Sequence, residues 1–501
     1  MKELTVRELF CGYDGIDIPT EVQETQIMNI TVHSYEVDKG SLLFITEKVG
    51  GSAPELDADT IKQTPTAIVI SEHQRIKSPR CPVIYANNVR QSLAYALSNA
   101  YGIDYDRMKV IGVTGTNGKT TTATLIYNIL KGCGYRAGFI GTGKIISGSE
   151  LLSDSTYSMT TPDPTTLYPI LAQMSRDRCE YVVMEVSSHS LALGKVAPIK
   201  FEYGIFTNLD NDHMDFHKNK EEYFLTKVKL FEKCKRGLFN LDDEYSRRAM
   251  DLCSCEKSTY GILRQGDAYA TEIEMHLGES SFFYREKNLI FKATSHLCGA
   301  FNVYNAMAAI KCTIDLGIRP CVAKRALEKV YRVDGRMEII PGVLTAIIDY
   351  AHTPDAFRNC LKTIKSSINK GQKISVVFGC GGDRDKQKRP FFGEYAEMYA
   401  DRIVITEDNC RSESFDSIVA DITMNMSKNK HVVIRDREEA IRYAFKHSLP
   451  DDVVALIGKG HEKYKIVNGE YIPFDERKIV DELLAELEGS YAYTSGYTVP
   501  H

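Results

Sequence analysis

The chain has 501 residues, enough for about three domains of ordinary size, and 43% of its residues are apolar, so each domain can bury a core. Its net charge of −5 argues against a nucleic acid or an anionic membrane as the main partner. The 13 cysteines are scattered along the chain, which argues against a disulfide framework.

The N-terminus carries charges where a signal peptide needs an apolar run, and apolar runs such as VVALI are too short to span a bilayer. Cys253 and Cys255 lie close together, but no second Cys or His pair completes a zinc site. We therefore expect a cytoplasmic protein that acts on small molecules, without nucleic-acid or membrane partners, and works as a monomer.

Strand and helix patterns divide the chain into three α/β domains. Residues 1–105 carry short strand-like runs such as SLLFIT and PVIYA, followed by the helical stretch NVRQSLAYALSNAYG. In residues 106–338 the runs VIGVTG, YVVMEV and YGIFTN are typical of parallel strands buried on both faces. Residues 339–490 alternate again, with TAIIDY, ISVVFG, RIVIT and VVALIG, which predicts a doubly wound domain. Residues 491–501 show no periodicity, and we expect a loose tail.

The stretch MKVIGVTGTNGKTTTATLIYNIL predicts a strand, a loop rich in Gly and Thr, and a helix. It misses the phosphate-loop pattern G-x-x-x-x-G-K-[ST] at one position, because Val113 lies where the first Gly belongs. Glycines still let backbone N–H groups approach phosphates, and the helix N-terminus favours anions. A Gly-rich turn with an exposed lysine is the alternative, which the flanking strand and helix disfavour. We predict that the phosphates of a nucleotide, which the family resemblance given below implies to be ATP, are held by Gly115, Thr116, Asn117, Gly118, Lys119, Thr120 and Thr121.

Two further strand ends carry groups suited to metal and phosphate chemistry. Glu185 ends the run YVVME, at the edge where α/β sites form, and its carboxylate suits Mg²⁺. His189 is either a second ligand or a hydrogen-bonded core histidine. After the run YGIFTN, one loop holds Asp212, His213, Asp215 and His217.

These motifs stand in the order found in the Mur ligase family. The chain resembles that family from about residue 108 to 480 through GVTGTNGKTTT, MEVSSHSLAL, TNLDNDHMDFH, CGAFNVYNAMAA, VDGRMEII, DYAHTPDAF, VFGCGGDRDKQKRP and GKGHEKY. It is most similar to the members that make the muramoyl tripeptide. The resemblance implies an acceptor-binding N-terminal α/β domain, a central P-loop ATPase domain with a parallel sheet, and a Rossmann-like C-terminal domain that binds the amino acid.

The family implies an ADP-forming ligase that needs ATP and Mg²⁺. In such enzymes a substrate carboxylate attacks the γ-phosphate, and an amine then displaces phosphate from the acyl phosphate. The resemblance favours addition of diaminopimelate to UDP-N-acetylmuramoyl-L-alanyl-D-glutamate in peptidoglycan synthesis. The alternatives are a paralogue that uses another carboxylate acceptor in specialised metabolism, a non-catalytic binding subunit, and a folylpolyglutamate synthetase.

The resemblance also assigns residues around the nucleotide. Lys227 matches a lysine that the family carbamylates, although without the motif it would be taken for a surface lysine on a helix. Catalytic roles fall to Lys119, Lys227 and His213, and the metal ligands implied are Thr120, Glu185, His213 and carbamylated Lys227. The residues that match positions near the adenine and ribose are Asn302, Asn305, Arg336 and Asp349, with Tyr350 and His352 close to the base.

The amino-acid pocket resembles that of diaminopimelate-adding members. TEDNCRSES matches their D-N-P-R motif except that Cys410 replaces Pro. Arg411 is expected to hold the distal carboxylate in a bidentate pair. The residues carried over are Arg389, Asp408, Asn409, Arg411, Gly458 and Glu462.

The acceptor side departs most from the family. His33 and Tyr35 replace the Asp and Arg of an expected D-S-R motif, the D-G-H loop is not recognisable, Leu193 stands where Gln is usual, and Asn211 where Arg is common. The acceptor contacts implied are Ser34, Thr160, Thr161, Ser187 and Lys195, the last in place of a usual Arg.

Overall fold

The structure is a computed structural model that describes residues 2–46, 63–74, 76, 79–154, 159–427 and 430–495. The stretch in which the D-G-H loop was sought extends into residues 47–60, which lie outside the described part. Within the described residues the main strands form three sheets, each built from one continuous segment of the chain. None of the described helices is long and apolar enough to cross a membrane.

The N-terminal sheet has the strand order β2-β7-β6-β5-β4, in which β4 to β7 are parallel and β2 is antiparallel. Helix α2 begins after Asn88, whose side chain accepts a hydrogen bond from the N–H of Gln91, and ends at Gly102 with φ 60°. The elements are β1 Leu4–Thr5, α1 Val6–Leu9, β2 Ile16–Asp17, β3 Gln26–Ile27, β4 Asn29–Thr31, β5 Ser41–Phe44, β6 Ala67–Ser71, β7 Val83–Ala86 and α2 Val89–Tyr101.

The central sheet has the order β11-β10-β9-β12-β8-β13-β14-β15-β16-β17-β18. Its elements are β8 Lys109–Thr114, α3 Lys119–Gly132, β9 Ala137–Gly141, β10 Lys144–Ser147, β11 Glu150–Asp154, α4 Pro164–Arg176, β12 Tyr181–Glu185, α5 Ser188–Ala192, β13 Phe201–Phe206, α6 Lys220–Val228, β14 Cys234–Asn240, α7 Glu244–Leu252, β15 Glu256–Gly261, β16 Ala268–His276, β17 Glu279–Glu286, β18 Leu289–Ser295, α8 Ala300–Asp315 and α9 Pro320–Leu327.

The predicted parallel sheet is confirmed for the strands from β9 to β16 in that order. Antiparallel strands, which were not predicted, extend it at both edges: β10 and β11 on one side, β17 and β18 on the other. The difference follows from burial, because β18 alternates between more buried and less buried residues while β12 is buried throughout.

The C-terminal sheet has the order β19-β20-β24-β21-β22-β23, parallel except for β19. Its elements are β19 Glu338–Ile340, β20 Thr345–Asp349, α10 Pro354–Ser367, β21 Ile374–Phe378, α11 Arg389–Tyr399, β22 Arg402–Ile405, α12 Phe415–Thr423, β23 His431–Val433, α13 Arg437–Lys446, β24 Val453–Ile457, β25 Tyr464–Val467, β26 Glu470–Pro473 and α14 Glu476–Ser495.

Helices cover both faces of this sheet, as predicted for a doubly wound domain. Ile347 of β20 packs in one apolar cluster with α10, α11 and α12, whereas its neighbours Ala346 and Ile348 pack in another with α13 and α14. The successive residues of a strand point to opposite faces, so the two clusters lie on either side of the sheet.

The domain boundaries at residues 105, 338 and 490 stay predictions, although β19, which begins at Glu338, already pairs within the C-terminal sheet. Helix α14 continues to Ser495, into the segment expected to be a loose tail, and residues 496–501 lie outside the described part. The arrangement that matters for function is at the strand ends: β12, β8 and β13 are adjacent and parallel, so the residues after them meet at one edge.

Candidate active site

A cleft with a volume of about 920 Å³ lies at that edge. One wall comes from the loop after β8, from Glu185 and from the loop after β13. The other comes from Asp349 and the residues after β20, and from the loops after β21, β22 and β24. The ends of the central and C-terminal sheets therefore face the same space.

The loop between β8 and α3 is built around two glycines in the left-handed half of φ space. Gly115 has φ 146° and Gly118 has φ 83°. A Cβ on Gly115 would overlap the hydroxyl of Thr207, and one on Gly118 would overlap Oδ1 of Asn305. Helix α3 begins directly after Gly118, and the first N–H groups of a helix have no partner within it. The loop thus has the construction of a phosphate site.

Lys119 folds back over this loop. Its Nζ donates to the carbonyl oxygens of Gly115 at 3.1 Å and Thr116 at 2.9 Å. Burial lowers the pKa of Lys119, while the carboxylates of Glu185 and Asp212 work in the opposite direction. The ammonium group is held where the phosphates of a nucleotide on this loop would lie.

Glu185 is a fully buried carboxylate at the end of β12. Thr120 donates to its Oε2 at 2.9 Å, and the backbone N–H of Thr142 donates to its Oε1 at 2.8 Å. Arg336, from the chain just before β19, donates to the Thr120 hydroxyl at 3.0 Å. A carboxylate and a threonine hydroxyl side by side at a phosphate loop supply the oxygen donors that Mg²⁺ takes in combination with phosphate oxygens.

Lys227 is buried on α6, so the alternative of a surface lysine is wrong. Its Nζ donates to the same carbonyl of Gly115, at 2.9 Å, and lies 4.4 Å from the centre of the Tyr223 ring. Burial, and then the nearby ammonium of Lys119, lower the pKa of Lys227 well below its ordinary value. The amine is therefore biased towards the neutral form.

His213 adjoins this lysine in the loop after β13, with φ 56°. Its Nε2 lies 3.3 Å from Oδ2 of Asp212, and burial lowers the pKa of His213 to about 3. His189 packs edge-on against His213, with ring centres 4.8 Å apart, and against Phe216 at 4.1 Å. The described residues contain no group of three or more His, Cys, Asp or Glu placed to hold a metal ion.

The two asparagines on α8 that are predicted to bind the nucleotide, Asn302 and Asn305, are hydrogen-bonded to each other. Asn305 accepts a hydrogen bond from Thr122 at 3.1 Å and donates to Oδ1 of Asn302 at 3.0 Å. Asp349 ends β20, as predicted, and accepts from the N–H groups of Met337 and Ala351. Burial raises the pKa of Asp349. All three line the cleft.

Tyr350 and His352 follow Asp349 and also line the cleft. Their ring centres are 4.8 Å apart, and the guanidinium of Arg336 lies 4.5 Å from the centre of the Tyr350 ring. An aromatic and cationic wall therefore stands opposite the phosphate loop.

At the far end of the cleft, a buried lysine joins the predicted amino-acid residues. Nζ of Lys459 lies 3.2 Å from Oδ1 of Asp408, 3.1 Å from Oδ1 of Asn409 and 3.3 Å from Oε2 of Glu462. Arg411 donates to the carbonyl of Gly382 at 2.8 Å and lines the same space. Lys459 was missed by the sequence interpretation, although the quoted motif GKGHE contains it.

Comparison with known proteins decides the family. The Mur ligase middle domain matches residues 113–313, and the Mur ligase glutamate ligase domain matches residues 335–460. UDP-N-acetylmuramoyl-L-alanyl-D-glutamate–2,6-diaminopimelate ligase 1 of Clostridium acetobutylicum is 37% identical over 484 residues, covering 96% of this chain and 97% of the relative. The chain belongs to the Mur ligase family. It is an ATP-dependent ligase.

Two further relatives of this Mur ligase carry the same name. The enzyme of Aquifex aeolicus is 38% identical over 463 residues, covering 92% of this chain and 94% of the relative. A solved structure of a UDP-N-acetylmuramoyl-L-alanyl-D-glutamate–2,6-diaminopimelate ligase superposes with a TM-score of 0.68 at 26% identity, over 97% of this chain and 100% of that one. The similarity spans the divergent N-terminal segment as well as the two matched domains.

One predicted substrate contact of the Mur ligase has a different role. Arg389 is fully buried, and its guanidinium donates to Glu413, to Asp421 at 2.8 Å and to the carbonyl of Gly381 at 3.0 Å. Lys388 and Phe392 are among the described residues that line the cleft, but Arg389 is not. With its donors directed at protein carboxylates, Arg389 holds α11, the loop at Glu413 and α12 together instead of binding a substrate carboxylate.

The acceptor residues of the Mur ligase separate into two groups. Thr161 donates to the carbonyl of Glu185 at 2.8 Å and lies 3.4 Å from the Ser187 hydroxyl, and Thr160 lies 3.1 Å from Thr142. These three residues thus surround the strand end that carries Glu185. Ser34 instead lies in a short 3₁₀ turn, Ser34–Glu36, and is not among the described residues that line the cleft.

Lys195 is buried and paired with Asp163 at 2.8 Å. Arg90, from the start of α2, lies 3.6 Å from the same carboxylate oxygen. The ammonium of Lys195 therefore lies at a junction between the N-terminal and central parts of the Mur ligase.

Proposed function

We propose that this Mur ligase adds 2,6-diaminopimelate to UDP-N-acetylmuramoyl-L-alanyl-D-glutamate, with cleavage of ATP to ADP and phosphate, in the synthesis of the peptidoglycan precursor. The observation that carries the proposal is that the phosphate loop with Glu185 and the charged pocket around Arg411 open into one cleft. A ligase needs this arrangement, because the phosphorylated carboxylate and the incoming amine must meet.

In the first step, the acceptor carboxylate attacks the γ-phosphorus of ATP and forms an acyl phosphate. Phosphoryl transfer depends chiefly on positioning and on neutralising charge. The loop glycines and the start of α3 orient the phosphates. The ammonium group of Lys119 neutralises part of the negative charge on the γ-phosphoryl group during its transfer. Thr160, Thr161 and Ser187 hold the carboxylate end of the acceptor near Glu185.

Mg²⁺, which would be held by Thr120 and Glu185, supplies further neutralisation of the β- and γ-phosphates when bound. We infer that the neutral amine of Lys227 adds CO₂ and releases one proton to give a carbamate, whose oxygens, with a ring nitrogen of His213 and a carboxylate oxygen of Asp212, would hold a second ion. The neutral form of an amine is the one that reacts with CO₂, and burial of Lys227 favours that form.

In the second step, the amine of the amino acid attacks the acyl phosphate carbonyl, and phosphate leaves. Arg411 pairs with the distal carboxylate of diaminopimelate, and Asp408 and Glu462 take its distal ammonium group. Arg336 connects the C-terminal part to Thr120. This contact keeps the amino-acid end of the cleft close to the nucleotide end, so that the amine can reach the carbonyl of the acyl phosphate. We further infer a monomeric, cytoplasmic enzyme.

The test is phosphate release by the purified enzyme with ATP, Mg²⁺, diaminopimelate and UDP-N-acetylmuramoyl-L-alanyl-D-glutamate, with each component omitted in turn. We expect release only in the complete mixture, and a product whose mass exceeds that of the acceptor by one diaminopimelate less water. Background release with this acceptor, together with stimulation by a simpler γ-glutamyl carboxylate, would instead establish the paralogue alternative.

A further inference from the structure

Behind the residues that line the amino-acid end of the cleft lies a buried lysine, Lys459, which is not itself among the described lining residues. Lys459 is fully buried, and its ammonium group lies within 3.3 Å of oxygen atoms on Asp408, Asn409 and Glu462. Asn409 in turn donates to Oε2 of Glu462 at 2.8 Å. One lysine therefore fixes the relative positions of the carboxylates that the proposed function assigns to the substrate ammonium.

The formal charges of four side chains, Asp408, Lys459, Glu462 and the adjacent Arg411, sum to zero. Asp408 and Glu462 carry two negative charges, and Lys459 and Arg411 carry two positive ones. Neighbouring charges pair among themselves and leave this balance unchanged: Arg437 pairs with Glu476 at 2.6 Å, and Lys465 with Glu407 at 2.8 Å.

Two candidate amino acids differ in the charge of the end that enters the pocket. The distal end of diaminopimelate has one carboxylate and one ammonium group and is neutral overall, whereas the distal end of lysine has only the ammonium group. A closed site with no net charge can bind the neutral distal end of diaminopimelate without leaving a buried charge unpaired. A site without Lys459 would have a net charge of −1 and would favour the cationic distal end of lysine.

We propose that Lys459 is a positioning residue that determines specificity: by offsetting one of two buried carboxylates, it makes the pocket accept a zwitterionic amino-acid end and disfavour a purely cationic one. The inference rests on the proposed function. Burial and Asp408 raise the pKa of Glu462, while Lys459 acts to lower it; burial alone would raise the pKa of Asp408, but Lys459 and Arg437 hold it below its usual value.

The experiment compares the wild type with Lys459→Met, which keeps an unbranched side chain one heavy atom shorter and removes the charge, and Lys459→Arg, which keeps the charge. The kcat/KM values for diaminopimelate and for L-lysine are measured with ATP and acceptor saturating. We expect Lys459→Met to reduce the preference for diaminopimelate over lysine by about tenfold or more, mainly through the KM for diaminopimelate. Lys459→Arg should recover most of the preference.

A second variant separates charge from loss of packing. Asp408→Asn combined with Lys459→Met removes one charge of each sign, and we expect it to discriminate better than Lys459→Met alone. Equal losses of kcat/KM for both amino acids in Lys459→Met, with no gain in the double variant, would show that Lys459 only supports the fold and would overturn the inference. A wild type that releases no phosphate in response to diaminopimelate would overturn the proposed function as well.

Discussion

Two lysines share one backbone carbonyl in this enzyme. Nζ of Lys119 and Nζ of Lys227 lie 3.1 and 2.9 Å from the oxygen of Gly115. Burial lowers the pKa of both lysines, and the ammonium of Lys119 lowers the pKa of Lys227 further. Conversion of Lys227 to a carbamate would replace this repulsion with attraction, because Lys119 would then face an anion.

Lys227→Ala should therefore lose most ligase activity, and a short carboxylate such as formate should restore part of it by supplying the missing oxygens. The measurement is phosphate release with and without formate, with the wild type assayed in buffer freed of CO₂. Lys229→Ala, an exposed position two residues along, is the matched control and should behave as wild type. The carbamate would be contradicted if removing CO₂ did not change phosphate release by the wild type and adding formate did not change phosphate release by Lys227→Ala.

The sequence predicted the residues at strand ends better than those whose roles depend on partners. Glu185 and Asp349 follow continuous apolar runs, a pattern that marks a buried parallel strand and the polar edge beyond it. Arg389 lies in a polar segment where nothing local indicates full burial, and Lys459, although it follows the buried strand β24, is a charged residue between two glycines. Only the folded structure shows that the guanidinium of Arg389 donates to Glu413 and Asp421, and that the ammonium of Lys459 donates to the pocket residue Asp408.

Similarly, the phosphate-loop helix and the doubly wound C-terminal sheet could be predicted from periodicity, but the antiparallel edges of the central sheet could not. Strands β16 to β18 are long and partly exposed, and their pairing depends on two hairpins, at Leu277–Gly278 and Lys287–Asn288, neither of which has an Asn-Gly or Asp-Gly turn.

One contact between the central and C-terminal parts was also not predicted. Asp210, in the loop after β13, interacts with Asp355 at the start of α10.

Burial, and then the hydrogen bond to Asp355, raise the pKa of Asp210 to about 7, from 3.8. The unfolded chain thus loses this proton at a lower pH than the folded protein does, so the contribution of Asp210 to stability falls as pH rises from about 4 to 7. Asp210→Asn should remove this dependence, and its stability relative to wild type should increase over that interval. Thermal unfolding at several pH values measures the difference.

Asp251→Asn, at an exposed position on α7, serves as the control and should keep a constant difference from wild type. If the advantage of Asp210→Asn is the same at pH 4 and pH 7, the two carboxyl groups do not share a proton in solution.

The central and C-terminal parts of the molecule meet through contacts of very different exposure. Arg384 and Asp215, which both line the cleft, form an ion pair at 3.2 Å at its rim, with about half of the Arg384 side chain exposed. Arg336, in contrast, reaches the Thr120 hydroxyl inside the cleft. Exposed ion pairs contribute about 0–1 kcal/mol, so the interior contact should dominate the coupling between the two parts.

Arg336→Ala should lower kcat/KM for ATP by about 10- to 100-fold, because it removes a charged hydrogen bond beside the transferring phosphoryl group. Arg384→Ala, the control at the rim, should stay within about threefold of wild type. Steady-state kinetics on both variants check this, and equal effects would mean that the cleft is not held together at Thr120.

The most direct test of the account follows one oxygen atom. If the acceptor carboxylate attacks the γ-phosphorus and the amine then expels phosphate, an oxygen of that carboxylate must leave with the phosphate. The acceptor UDP-N-acetylmuramoyl-L-alanyl-D-glutamate, labelled with ¹⁸O in its γ-carboxylate, is turned over with ATP and diaminopimelate, and the phosphate released is analysed by mass spectrometry. The account predicts one ¹⁸O atom in each phosphate from fully labelled acceptor, with ADP as the nucleotide product; unlabelled phosphate, or AMP with pyrophosphate, would contradict it.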